Sequence, residues 1–185
     1  LLPLPVPVVG ATSHICFTPV LGLVVGVRRI IWPTFFVLLL QAIFFAHGGL
    51  TTLGVNTLTL GVTGPLITAG LWILARNLGA DGALTLGIVC ALGGLGVYVA
   101  DAAVLSLALS DVANPASTFI AVILGFSPVQ VPLAVLEAFA SVGIVRLLAT
   151  RRPELLPSSI RALRKPLNLG QLRDNAPQVS YKTAG

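Results

Sequence analysis

An all-α, polytopic transmembrane helical bundle is the fold class this sequence predicts, and three observations carry the prediction. Of 185 residues, 56% are hydrophobic and only 9% are charged, against about 25% charged in an ordinary soluble domain. A soluble core in a chain of this size cannot hide so much apolar surface, so the surplus must face lipid. The apolar residues also fall in long uncharged runs divided by short polar turns, and runs of about 20 residues are long enough to cross a bilayer. With a shorter lead-in helix included, about five membrane-embedded helical segments are expected on that length criterion.

Leu1 to Val9 carries Pro3, Pro5 and Pro7, which remove backbone donors and forbid a regular helix, so the chain should begin extended. His14 to Val27 is uncharged but too short for a full span, and Pro19 lies inside it; a short or kinked helix ended by Arg28 and Arg29 is predicted. Ile30 to Ala46 has only Thr34 and Gln41 as polar interruptions and reads as a strong span. His47-Gly48-Gly49 suits a break. Leu50 to Ala75 is uncharged again and rich in Thr and Gly, small residues that let helices approach closely in lipid.

Arg76 to Gly82 reads as a polar turn, and Ala83 to Leu109 as the longest apolar run, interrupted by one charge at Asp101. Gly93, Gly94 and Gly96 in that run predict tight helix contact. Ser110 to Ser117 is a second loop. Two final apolar pieces, starting at Thr118 and Val129, are divided by Ser127-Pro128; the second carries Glu137 and ends at Arg151-Arg152.

Residues 1–152 are therefore expected to form one transmembrane domain and 153–185 a basic tail. Eight of the eleven Lys and Arg residues lie from Arg146 onward, and a basic flank marks the cytoplasmic side. A multi-pass protein of the inner (plasma) membrane with a cytoplasmic C-terminus follows, with little packed structure beyond Pro166. The basic run is read as a solvated flank, with anionic lipid or a cytoplasmic partner as the sharper alternative. The bilayer is the partner that composition implies; no nucleic acid is expected. The chain starts at Leu1 and contains no Met, which predicts truncation in preference to removal of a signal segment.

The chemistry-bearing groups are few. His14 and His47 both sit where an apolar element meets a Gly-, Ser- or Thr-containing break. Neutral imidazole ligates nickel, cobalt, copper and zinc, and irregular backbone at membrane depth persists only where it is buried or lines a cavity. An imidazole there serves equally to hydrogen-bond across helices. Asp101, Glu137 and Arg146 are costly to desolvate unless paired or near an interface. Glu137 is expected to contact Asn114 or backbone groups elsewhere, and Asp101 to have a structural role near an interface. Cys16 and Cys90 lack any paired spacing and read as packing residues. The sequence has no phosphate-binding loop, no nucleophile elbow and no His-Glu-x-x-His helix, so it is not expected to be an enzyme or to hydrolyse nucleotide.

Three blocks carry a family likeness. Pro5-Val6-Pro7-Val8-Val9-Gly10-Ala11-Thr12-Ser13-His14 resembles a Pro/Gly-rich lead into a Gly-Thr-Ser-x-His segment, one residue shorter before the His. Gln41 to Asn56, with Ala46-His47-Gly48-Gly49 at its centre, is similar to the family's most distinctive stretch. Pro132 to Glu137, followed by Arg151-Arg152-Pro153-Glu154-Leu155-Leu156, resembles its last span and exit. The family is that of CbiM and NikM, the membrane-embedded substrate-binding (S) components of energy-coupling-factor transporters for cobalt and nickel.

The resemblance implies that residues 1–152 are a substrate-binding domain, N-terminally incomplete, which captures Co(II) or Ni(II) as transported substrate, a role tied to cobalamin biosynthesis. It also implies a transmembrane coupling subunit, cytoplasmic ATPase subunits that supply the energy and a small accessory membrane subunit. In the family a near-planar set of nitrogen atoms holds the ion, most of them from an N-terminal Met-His. His14 matches the imidazole of the Gly-Thr-Ser-x-His segment, while nothing in this sequence matches the Met-His. The resemblance further implies His47 as an extra ligand, and Thr12, Ser13 and Asn56 as hydrogen-bonding groups around the ligands. A different class of function is a non-transporting membrane scaffold that has the bundle without the metal site.

Overall fold

The computed structural model describes residues 4–6, 11–13, 15–44, 49–110 and 113–161. Two short strands open the chain, β1 (Leu4–Val6) and β2 (Ala11–Ser13), paired antiparallel with Pro5 opposite Thr12. The extended start is as the prolines require, and a two-stranded ribbon accommodates Pro5 because neither strand has a second neighbour to serve.

The rest is helical. A short helix α1 (Thr18–Val25) precedes α2 (Val27–Phe44), and the residue between them, Gly26, has φ +103°. That left-handed backbone is where the chain reverses, and only glycine adopts it without strain. The break therefore falls before Arg28 and Arg29, which lie in the first turn of α2 instead of ending the preceding helix.

Next come α3 (Leu53–Leu58), a π-helical turn (Thr59–Thr63) and α4 (Gly64–Asn77), which run on as one rod of 25 residues. Helix α5 (Ala83–Ala108) follows, then α6 (Pro115–Arg151). Among the described residues four rods, Val27–Phe44, Leu53–Asn77, Ala83–Ala108 and Pro115–Arg151, are long and apolar enough to span a bilayer. With α1 they give the helical bundle the composition predicts.

The divided final segment of the sequence reading is a correction to report: α6 is a single helix of 37 residues with Pro128 and Pro132 inside it. Pro128 has no N–H for the carbonyl of Leu124, and the Ser127 hydroxyl donates to that carbonyl at 3.0 Å. Proline is tolerated inside a membrane helix when the freed group finds such a donor. The helix starts where it does because Asn114 Oδ1 accepts the N–H groups of Ala116 (3.0 Å) and Ser117 (3.3 Å) and Pro115 occupies the first turn. At 1.5 Å per residue its 37 residues reach about 55 Å, so α6 tilts steeply or projects past a ~30 Å hydrocarbon layer.

Helix α5 packs most extensively on α6 and next on α4, while α1 wedges against α4. The connections between α4 and α5 and between α5 and α6 are only a few residues long, which makes successive helices antiparallel. Arg28 and Arg29 at the start of α2, Arg76 at the end of α4, and Arg146, Arg151 and Arg152 at the end of α6 consequently gather at one end of the bundle. The apolar core lies in that half: Val20, Leu23, Trp72, Leu86, Cys90 and Val145 form one cluster. Leu156 and Ile160 join it, 1% and 0% exposed, carried by a 3-10 turn (Pro153–Leu155) and a final short helix α7 (Ser158–Arg161) that fold back after α6.

Candidate functional site

His14 and His47 lie outside the described residues, as do the side chains of Thr12 and Ser13, whose backbone forms β2. Asn56 is described: it sits on α3, and its Nδ2 donates to Thr52 Oγ1 one turn earlier at 3.3 Å. Among the described residues no group of three His, Cys, Asp or Glu side chains converges to hold a metal ion.

What the fold does bring together is the chain on either side of those histidines and a set of polar groups inside the bundle. Ile15 to Phe17 links β2 to α1, and Cys16 lies near the carboxyl group of Glu137 on α6. Glu137 is 1% exposed, and its Oε1 has no hydrogen-bond partner among the described residues. One turn further along α6, Ser141 is fully buried, and its hydroxyl, which has no hydrogen-bond partner among the described residues, lies near Cys90 of α5. Both cysteines are free and buried. Sequence spacing contains no signal for the proximity of Glu137 to Cys16, because Cys16 precedes α1 and Glu137 lies on α6.

A second polar junction lies at the π-helical turn. The Gly64 N–H reaches the Thr59 carbonyl, five residues back instead of four, and Pro65 can donate to nothing. Thr63 Oγ1 donates to the Leu58 carbonyl at 3.2 Å and Thr68 Oγ1 to that of Gly64 at 2.9 Å, so hydroxyls take up carbonyls around the widened turn. Thr59 itself is 1% exposed; its Oγ1 donates to the Asn56 carbonyl at 3.4 Å, and it lies near the Asp101 carboxyl group of α5. Regular helix propensity predicts none of this; the Thr-Gly-Pro run 63–65 is its visible sequence trace.

Between α1, α2 and this turn lies a cavity of about 220 Å³, lined among others by Cys16, Thr18, Ile30, Thr34, Gln41 and Leu60. Its walls are almost wholly apolar, so water has little to hold it there. The cavity adjoins the Cys16 segment and the stripe of α2 that leads toward residue 47.

Four apolar rods, buried polar groups such as Thr59, Thr68, Glu137 and Ser141 between them and a π-turn within one rod define a polytopic helical membrane protein. The family model described as CbiM, cobalt uptake substrate-specific transmembrane region, matches residues 1–155, and the chain belongs to that family. It is 36% identical over 159 residues to "Cobalt transport protein CbiM" of Sorangium cellulosum (strain So ce56), an overlap of 84% of this chain and 69% of the relative. It is also 36% identical over 157 residues to the protein of the same description from Geobacter sulfurreducens, covering 84% of this chain and 45% of that one. A third, from Moorella thermoacetica, is 40% identical over 115 residues, 62% of this chain and 44% of the relative. The chain thus spans about half the length of two of these three relatives and 69% of the other.

Proposed function

We propose that this chain is the substrate-capture membrane component of an ATP-driven cobalt uptake transporter, with nickel as the second cation of matching chemistry. The observation that carries the reading is the family match over residues 1–155 to proteins described as cobalt transporters. Cobalt is the substrate. His14 and His47 are the imidazole ligands, with Thr12, Ser13 and Asn56 hydrogen-bonding around them, because these residues flank the broken backbone where a membrane protein can expose nitrogen donors to an ion.

The energy comes from cytoplasmic ATPase subunits through a transmembrane coupling subunit, with a small accessory membrane subunit as a further partner. The cluster of arginine ends on one side of the bundle supports an inner-membrane orientation with the C-terminus in the cytoplasm. Capture then occurs on the opposite side of the membrane.

Isothermal calorimetry on the full-length protein in detergent tests the ligand assignment: His14→Ala should weaken Co(II) binding by at least about tenfold. Unchanged affinity in that variant removes His14 from the site. Co-isolation of ATPase and coupling subunits from the native membrane tests the transport role. A stable assembly with some other membrane complex and no ATPase would instead make the chain a scaffold.

A further inference from the structure

The cavity beside α1 exists because the two helices that flank it differ in length. Helix α1 has 8 residues and α2 has 18, so α1 covers about 12 Å of a rod about 27 Å long. The π-turn supplies a third wall, bringing Leu60 to the cavity and laying Gly61 against Thr34. About 220 Å³ is left between Phe17 and Leu21 on one side and Ile30, Val37 and Leu38 on the other. An empty space there would leave its lining without contacts.

The lining calls for an apolar occupant. Its Thr34 hydroxyl already donates to the Ile30 carbonyl at 2.8 Å, and Cys16 Sγ meets Thr18 Oγ1 at 2.9 Å. Water would find little to bind. Pro33 and Val37 belong to the lining and are also exposed, so the cavity opens sideways between them. Trp32, Phe36 and Leu40 continue that exposed apolar face along α2. In a bundle that crosses a bilayer, the medium on that face is hydrocarbon.

Length and charge narrow the occupant further. The lining on α2 runs from Ile30 to Gln41, about 16 Å of helix, against about 15 Å of hydrocarbon in one leaflet. Arg28 and Arg29, both exposed, stand immediately beyond its Ile30 end. The exposed Trp32, one turn on, marks that end as the level of the headgroups. The same end of the bundle carries Arg76, Arg146, Arg151 and Arg152, whereas the acidic side chains described there are Asp81 and Glu154. The surplus is positive, and it favours a headgroup of net negative charge.

We propose that the groove between α1 and α2 holds one acyl chain of an anionic phospholipid whose phosphate is bound by Arg28 and Arg29. The site stands on the fold and is independent of which ion the protein carries.

The probe is phosphatidylglycerol with a diazirine in one acyl chain, added in trace to phosphatidylcholine vesicles that contain the full-length protein. After irradiation the adducts are mapped by peptide mass spectrometry. Segments 15–21 and 30–41 are expected to carry several times the label found on the exposed face of α6 at Leu124, Val131 and Phe139. Label spread evenly over all exposed helix faces overturns the site, because the lipid there is then ordinary bulk lipid.

Two variants at exposed positions separate the chain from the headgroup. Val37→Trp fills the groove from its rim and should abolish the excess label on segment 15–21; persistence of that excess overturns the groove as the binding place. Arg28→Gln combined with Arg29→Gln should lower the preference for phosphatidylglycerol over phosphatidylcholine by about tenfold, as two lost arginine contacts imply. Native mass spectrometry of delipidated protein titrated with an equimolar mixture of the two lipids reads that preference. An unchanged ratio overturns the role of the arginines. Should Val37→Trp give no monodisperse protein, Val37→Phe takes its place, and the label pattern of the unaltered protein decides the site in either case.

Discussion

The carboxyl group of Glu137 and the α-carbon of Gly94 are in direct apposition: a methyl group added to Gly94 would stand 2.5 Å from Glu137 Oε2. Helices α5 and α6 make the most extensive contact of the bundle, and this is the point at which it is tightest against a polar group. Gly94→Ala should therefore force the carboxyl aside or part the helices, at a cost of about 1–3 kcal/mol, the range for overpacking a filled interior. Thermal unfolding in detergent reads the loss; a melting temperature equal to that of the unaltered protein would show that the apposition is loose.

Tyr98 ties the same two helices together higher in the bundle. Its hydroxyl donates to the carbonyl of Val122 at 2.8 Å and lies against that of Ile123, just ahead of the Ser127-Pro128 step of α6. Tyr98→Phe removes the donor and retains the ring, which packs on Phe126 with centroids 5.7 Å apart. Hydrogen bonds between membrane helices contribute about 0.6–1.7 kcal/mol, so a loss in that range is expected. Equilibrium unfolding in a mixed-detergent titration measures it, and a variant as stable as its parent would assign the contact to packing alone.

The legible part of this fold was the part written in charge and hydropathy. Arg76 to Gly82 and the Asp111 to Pro115 region are polar against uncharged flanks, so the turns after α4 and α5 could be placed from sequence. What was illegible depends on long-range partners. Pro128 looks like a break when read alone, because the Ser127 hydroxyl that satisfies Leu124 is visible only in three dimensions. The widened turn at Thr59–Thr63 leaves only the Thr-Gly-Pro run 63–65 as a trace, which read alone is compatible with an ordinary helix start. Of the candidate site, His14 and His47 lie outside the described residues, and the proximity of Glu137 to Cys16 had no trace in the sequence.

Leu156 and Ile160 illustrate the same limit at the other end. They follow Arg151-Arg152-Pro153, a sequence that announces departure from the membrane, yet both are buried in the cluster with Leu86, Trp72 and Ala149. If that packing holds the ends of α4, α5 and α6 together, Leu156→Ala and Ile160→Ala should each destabilise the bundle by about 2–4 kcal/mol, as for large-to-small changes in a filled core. Deletion of the chain after Arg152 should cost at least as much. Melting curves unaffected by all three changes would detach the segment from the core.

The arginine ends make a prediction about orientation that needs no knowledge of the substrate. Cys16 and Cys90 are buried, so a new cysteine on an exposed turn can be probed with little background. Ala80, in the turn between α4 and α5, lies at the end that collects Arg28, Arg29, Arg76 and Arg151; Ala113, in the turn between α5 and α6, lies at the other. Basic flanks stay in the cytoplasm during insertion, so a membrane-impermeant maleimide added to intact cells should label Ala113→Cys and leave Ala80→Cys untouched until the cells are opened. The reverse pattern would turn the bundle over and place the end of α2 at Phe44 and the start of α3 at Leu53 on the cytoplasmic side, against the orientation proposed above. Equal labelling of both positions in intact cells would mean that the rods do not pass alternately through the bilayer, and the antiparallel succession of α4, α5 and α6 would have to be redrawn.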